Sequence, residues 1–273
     1  MSEIVCNHCF HHCHIPEGKT GLCHVRTNEN GMNICGNYGK LTAMAMDPVE
    51  KKPLRNYHPG SMILSVGSYG CNLSCPFCQN YTISTASEQQ ARTEYFSPQE
   101  LVDIALRQEG NLGIAFTYNE PSLMVEYIED CAALLHAHGM KTVLVSNGCM
   151  EQSIAERLAR VINASNIDLK GNAEYYAREL GGDYDSVWNT IRIFSENMHV
   201  EITTLVVPGK NDSIPWIEEE ARKLSDLSED IPLHLSRYFP RYKSRIPATP
   251  PETIYAMQKA ARKYLKYVYT GNL

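Results

Sequence analysis

Between residues 62 and 269 the sequence alternates short apolar, β-branched runs with longer amphipathic stretches, and few folds accommodate that rhythm. Runs at 62–66, 113–118, 141–145, 164–169, 200–207 and 232–238 read as strands, with a short last one at 267–269. Helical apolar spacing fills the intervals at 97–108, 121–139, 151–162, 173–197, 213–227 and 249–265. Ser97-Pro-Gln-Glu100 and Thr249-Pro-Pro-Glu252 both read as capping boxes that open a helix. Strands separated by helices pair in parallel through right-handed crossovers. Six to seven such units fit an α/β fold, an incomplete (β/α)6-type parallel barrel, better than a closed eight-fold one. The site of such a fold gathers at the C-terminal strand ends. Polar residues fall there: Glu120, Ser146 and Asn147, Asp168 and Lys170, Thr203 and Thr204, and His234 to Arg237.

Residues 1–60 differ from the barrel segment 61–273. They are rich in Cys, His, Gly and Asn without a sustained helical period, so metal ligation or docking onto the barrel has to hold this arm. The chain carries 25 Lys+Arg against 31 Asp+Glu, a net −6, which argues against a general nucleic-acid binder while leaving room for a local basic surface. No apolar run reaches the roughly 18 residues of a membrane span, and the N-terminus lacks a secretory pattern. The expectation is a cytoplasmic protein with neither membrane nor nucleic acid as partner. Ten cysteines in that compartment point to metal or redox chemistry before disulfides. Cys131 lies on an apolar helical pattern and reads as a buried small hydrophobe, Cys149 follows a strand end as a weak site candidate, and Cys35 is left over.

Gly70-Cys71-Asn-Leu-Ser-Cys75-Pro-Phe-Cys78-Gln-Asn80 follows the first barrel strand. Three thiolates within eight residues can fold around one centre. A closed zinc site and most iron–sulfur cubes use four protein ligands, so three leave a position open. A three-thiolate zinc site completed by His58 or water is the bland alternative. The place of the triplet, on the first loop at the mouth of the sheet, favours chemistry.

The triplet resembles the signature of the radical S-adenosylmethionine (SAM) superfamily. Asp47-Pro-Val-Glu-Lys-Lys-Pro-Leu54, Phe77-Cys-Gln-Asn80, Thr117-Tyr-Asn-Glu-Pro121, Ser146-Asn-Gly148, Asp168-Leu-Lys170, Val207-Pro-Gly209 and Tyr267-Val-Tyr-Thr-Gly-Asn272 follow in order. Together they resemble the AmmeMemoRadiSam system radical SAM enzymes, relatives of pyruvate formate-lyase activating enzyme. The resemblance implies that Cys71, Cys75 and Cys78 hold a [4Fe–4S] cluster whose fourth iron chelates SAM. Reductive cleavage then gives methionine and a 5′-deoxyadenosyl radical that takes hydrogen from a substrate. It implies SAM contacts at Thr117, Asn119 and Glu120, where relatives carry Gly-Gly-Glu, and at Ser146, Asn147, Asp168 and Lys170. Phe77 and Asn80 belong to the cysteine motif, Phe77 as a cover for cluster or adenine or as ordinary packing. Arg237 is a carboxylate binder for SAM or substrate, whereas His234 reads as a satisfied core histidine. Glu120 also reads as a helix-start carboxylate, and Asp168 with Lys170 as a simple ion pair.

In the arm, Cys6, Cys9, Cys13 and Cys23 form a second ligand set, read as a structural zinc knot, an auxiliary iron–sulfur cluster or, for Cys6 and Cys9, a redox pair. The expected enzyme is a radical SAM enzyme with an unidentified substrate. A glycyl-radical activase acting on a partner protein, and a non-catalytic metal-binding interaction module, are the alternatives. The implied partners are an electron donor such as ferredoxin or flavodoxin, and functional links to Memo-like and AMMECR1-like proteins. Longer relatives carry a cysteine-rich tail beyond the last motif, and whatever that tail does is not carried over to these 273 residues.

Overall fold

The computed structural model describes residues 2–273. Its centre is an eight-stranded sheet in the order β14-β13-β12-β11-β10-β9-β7-β6. The parallel strands are β7 (Met62–Gly67), β9 (Asn111–Phe116), β10 (Lys141–Ser146), β11 (Ala164–Asp168), β12 (His199–Val206), β13 (Leu233–Arg237) and β14 (Val268–Gly271). Only β6 (Ala43–Pro48), supplied by the arm, runs antiparallel, against β7. The arm, which shows no sustained helical period, therefore contributes a strand to the barrel sheet.

Helices α2 (Pro98–Arg107), α3 (Val125–Ala137), α4 (Gln152–Ala159), α6 (Tyr184–Asn197), α7 (Ile214–Leu227) and α8 (Pro251–Ala261) accompany the strands, with the short turns α1 (Tyr81–Ser84) and α5 (Ala173–Tyr175) on loops. Leu64, Val66, Ile114, Phe116, Ile202 and Leu235 face these helices in the large core. The box at Ser97 and Glu100 caps α2 as expected. The second box does not form: α8 starts at Pro251 without a side-chain cap. Thr249 Oγ1 instead donates to Val206 O (2.5 Å), fastening the loop after β13 to β12. No helix among the described residues is long and apolar enough to cross a membrane.

Parallel register fixes which side chains enter the barrel. Asp168 pairs with Thr203, Thr203 with His234 and His234 with Tyr269, so these share one face. Part of the floor is an apolar cluster: Ile63, Ala115, Val143 and Ala164 meet Val49 and Leu54 from the arm. The small alanines leave room for that plug. Its backbone groups are paired inside: the Arg55 and Asn56 amides donate to Glu201 (3.0 and 2.7 Å), and Asn166 Nδ2 donates to Pro53 O (2.9 Å).

The rest of the arm folds as two hairpins, β1 (Glu3–Val5) with β2 (His14–Pro16) and β3 (Arg26–Glu29) with β4 (Met32–Cys35). A third pair joins β5 (Lys40–Leu41) to β8 (Glu94–Tyr95). Docking is what the structure shows holding the arm. Arg26 makes a two-pronged bond to Glu126 on α3 (2.9 and 2.7 Å), His8 donates to Ser122 O and His11 to Asn72 O (2.8 Å each).

Candidate cofactor and substrate site

The chain leaves β7 into the cysteine loop under tight constraint. Asn119 accepts from the Ser68 amide (2.9 Å) and donates to Tyr69 O and Gly70 O (3.0 and 3.1 Å). Gly70 sits at φ +84 against the arm, where a Cβ would fall 2.5 Å from Cys23 O. Asn80 closes the loop by donating to Tyr118 O (2.7 Å). Both Asn side chains thus hold the scaffold, and both also border the cavity into which the cysteine loop opens. Tyr118 itself holds φ +74, an unusual setting for a bulky residue.

Cys71, Cys75 and Cys78 line one cavity of about 450 Å³, with Glu120, Asn147, Asp168 and Lys170 on other walls. Burial pushes the Cys71 thiol well above its ordinary range and Cys75 up to about 11, with Lys170 opposing the latter shift. Thiolates in such a place need positive charge beside them, which bound iron supplies. Among the described residues no group of three His, Cys, Asp or Glu side chains could hold a metal ion. A cube makes a different demand: each thiolate binds its own iron, so its ligand sulfurs need not converge on one point. Three thiols bordering one cavity fit that donor set.

Glu120 is buried, and its carboxylate accepts from the Ser122 amide (3.0 Å), Ser146 Oγ (2.7 Å) and the Asn147 amide (2.8 Å). Burial raises its pKa while those donors oppose the shift. It therefore braces the ends of β9 and β10 and also faces the cavity. Asn147 Nδ2 donates to Asn72 Oδ1 (2.8 Å), tying β10 to the cysteine loop. Lys170 pairs with Asp168 at 2.7 Å; burial works against the ammonium, and Asp168 and Cys75 overcome it, raising its pKa. Thr117 and Phe77 also line the cavity, Phe77 edge-on to Tyr238 (6.2 Å between ring centroids).

Two expectations change. Arg237 is absent from the cavity wall: Ser236 points in, so Arg237, one residue on, points out and donates to Thr249 O (2.7 Å). Cys149 is fully buried, its thiol directed at Asp183 O (3.6 Å), rather than placed in the site. Cys6, Cys9, Cys13 and Cys23 lie near one another in the arm: the charges of Cys6 and Cys23 raise Cys9, and those of Cys6 and Cys13 raise Cys23. Asn33 Nδ2 donates to Cys6 Sγ (3.3 Å), the Arg26 amide to Cys23 Sγ (3.4 Å), and burial pushes Cys9 up to about 12. His234 is bound to Glu201 (2.6 Å), as a core histidine should be.

Lys51, Lys52, Ser236 and Asn272, which lie in the sequence motifs without a role assigned to them there, also border the cavity. Lys52 is nearly inaccessible, 2.8 Å from Asp47, and burial lowers its pKa against the pull of that carboxylate. Tyr118 OH donates to the same carboxylate (3.0 Å). The adjacent lysines in an acidic chain were the available signal. Thr203 Oγ1 faces this space without a hydrogen-bond partner, a buried polar atom left for a ligand or water. A second hollow of about 300 Å³, bordered by Trp188 and Lys223, contains none of the thiols.

Residues 65–219 match the radical SAM superfamily. The uncharacterized protein MJ0808 of Methanocaldococcus jannaschii is 36% identical over 276 residues, covering 100% of this chain and 82% of its own length. A radical SAM methyltransferase from Sphaerobacter thermophilus superposes with a TM-score of 0.61 at 18% identity, over 78% of this chain and 67% of its own. A domain of pyruvate-formate lyase-activating enzyme from Bacteroides vulgatus gives 0.52 at 17% identity, over 58% and 98%. At those identities the two structures establish likeness of fold.

Proposed function

The chain belongs to the radical SAM superfamily, and from that premise we propose that it cleaves SAM reductively at a [4Fe–4S] cluster held by Cys71, Cys75 and Cys78, then takes hydrogen from a substrate in the barrel cavity. The observation that carries this reading is the meeting of three cavity-facing thiols with Glu120, Asn147 and the Asp168–Lys170 pair in one space of about 450 Å³. When bound, the cluster supplies one electron to SAM, giving methionine and a 5′-deoxyadenosyl radical.

The protein's own residues bind and orient. Glu120 has lone pairs left for the SAM ammonium, and a buried carboxylate already held by three donors needs no reorganisation to accept it. Lys170, neutralised by Asp168 in the free protein, can turn toward the SAM carboxylate, leaving Asp168 for ribose hydroxyls. Phe77 and Leu73 exclude water from the cluster side. The ordered motifs from Asp47 to Asn272 support placing the chain with the AmmeMemoRadiSam enzymes.

Anaerobic reconstitution tests this. The expected protein carries about four irons and four sulfides, and with SAM and dithionite it yields methionine and 5′-deoxyadenosine. Joint replacement of Cys71, Cys75 and Cys78 by Ala should remove that iron and both products. Iron retained at the wild-type count in the triple variant would refute the assignment.

A further inference from the structure

Asp47, Lys51 and Lys52 form a charged cluster on the arm, and both lysines border the cavity. Lys51 ends the short 3-10 turn Val49–Lys51 and Lys52 follows it, at the start of the plug. The Asp47 carboxylate accepts from Lys51 Nζ (3.2 Å), Lys52 Nζ (2.8 Å) and Tyr118 OH (3.0 Å), so its acceptor capacity is largely filled. Each ammonium has three N–H groups and gives one of them to Asp47. The others are left over, and two positive charges against one negative leave the cluster with a surplus of one positive charge. Lys52 is buried, so its remaining N–H groups have little water to turn to.

The backbone is shaped to build this cluster. Tyr118 holds φ +74, and its ring passes so close to Gly67 that a Cβ there would fall 2.7 Å from ring atom Cδ2. That setting brings the phenol onto Asp47 and its ring centre to 4.8 Å from Lys52 Nζ. A strained residue that orients an ion pair on a cavity wall points to a binding duty. The cluster also stands apart from the thiols. Cys75 and Cys71 act on the Lys170 ammonium, whereas the charges acting on Lys52 are those of Asp47 and Lys51. Lys170 therefore belongs to the cysteine end of the cavity and the lysine pair to the other. Val145 and Leu205 supply apolar wall, and Thr203 a buried hydroxyl with no partner.

We propose that the substrate is a carboxylic acid whose carboxylate binds to Lys51 and Lys52, with its body lying between that pair and SAM. One negative charge matches the surplus of the cluster. A phosphate monoester, at about −1.5 to −2, leaves excess negative charge beside Asp47, and an amine is repelled. The left-over ammonium N–H groups give the carboxylate charge-assisted hydrogen bonds in a place that is already shielded from water. The inference rests on the radical SAM reading above for the reaction, and on the lysine cluster alone for the binding.

The test uses anaerobically reconstituted enzyme with SAM and no reductant. The probe is benzoate, with benzamide as its uncharged counterpart, followed by ligand-observed NMR titration. Benzoate should bind about ten-fold or more tightly than benzamide, and its affinity should fall as salt rises. Lys51→Glu should weaken benzoate about ten-fold or more, and Lys51→Gln by a smaller factor. The Lys51 side chain is 68% exposed, so both variants should fold. Saturating benzoate should shield Lys51 from acetylation, read by peptide mass spectrometry. N-acetyl-aspartyl-glycinamide run in parallel separates a peptide carboxylate from a small acid: the tighter Lys51-dependent binder names the source. Equal affinity for benzoate and benzamide, or benzoate affinity unchanged in Lys51→Glu, would overturn the proposal. So would inorganic phosphate binding more tightly than benzoate through Lys51, which assigns the pair to a phosphoryl group. A loss of SAM affinity in Lys51→Gln as large as the loss for benzoate would also overturn it, by assigning the pair to SAM. A wild type that holds no iron, or leaves SAM uncleaved with dithionite, instead refutes the cluster assignment, and benzoate against benzamide still reads the lysine pair.

Discussion

Glu120 sits where burial raises its pKa, yet two backbone amides and a serine hydroxyl hold it in place. Such a residue has two duties, bracing the ends of β9 and β10 and offering charge to a ligand. Glu120→Gln removes the charge while its remaining oxygen can still accept from the Ser122 amide and Ser146 Oγ, at the cost of the bond from the Asn147 amide. The expected loss in SAM affinity is about 1.5–3 kcal/mol, roughly ten- to hundred-fold, with the iron count unchanged. Calorimetric titration of the reconstituted variant checks it. Unchanged SAM affinity would leave Glu120 with the bracing duty alone.

Among the elements, the contact of arm with α3 and the cysteine loop stands out. Arg26 is almost wholly buried, with both prongs on Glu126. His8 beside it is lowered to about 3 by burial and by Arg26, so it is neutral and serves as a plain donor to Ser122 O. Arg26→Ala leaves Glu126 with only the longer contact to Arg157 (3.9 Å) and opens space under β3. We expect a loss of the order of 1–3 kcal/mol, below the fully buried case because the Glu126 side chain is 36% exposed. Limited proteolysis should then cut the arm before the barrel. Equal protection of arm and barrel in the variant would show that the hairpins are held by other contacts.

At the scale of the whole molecule, the barrel floor joins parts distant in sequence. Glu201 on β12 is fully buried and accepts from His199 (2.9 Å), His234 (2.6 Å) and the plug amides of Arg55 and Asn56. Burial alone would raise its pKa, but these donors outweigh it and lower the group from 4.5 to about 2. Its folded pKa lies below its unfolded one, so its contribution is complete above about pH 4.5 and is lost as pH falls toward 2. Urea unfolding between pH 6 and 3 should show wild-type stability falling more steeply than that of Glu201→Gln. Parallel pH profiles would mean that the floor does not depend on this charge.

The sequence by itself determined the parallel strand–helix order, the cap at Ser97, the buried Cys131 and the strand-end site with its cysteine triplet. Each follows from neighbours in the chain, through apolar period, local hydrogen bonding or close spacing of ligands. Arg237 shows where even local reasoning slipped: alternation along β13 turns it away from the cavity once Ser236 is known to face in. Tertiary structure alone decided that residues 43–48 become β6, that Val49 and Leu54 fill the floor, and that Lys51 and Lys52 border the cavity. It also decided that Thr249 fastens to Val206 rather than capping α8. Those outcomes depend on partners up to 146 residues away, as for Arg55 and Glu201. A short polar segment carries no period that announces such a partner; the space left between packed strands selects it.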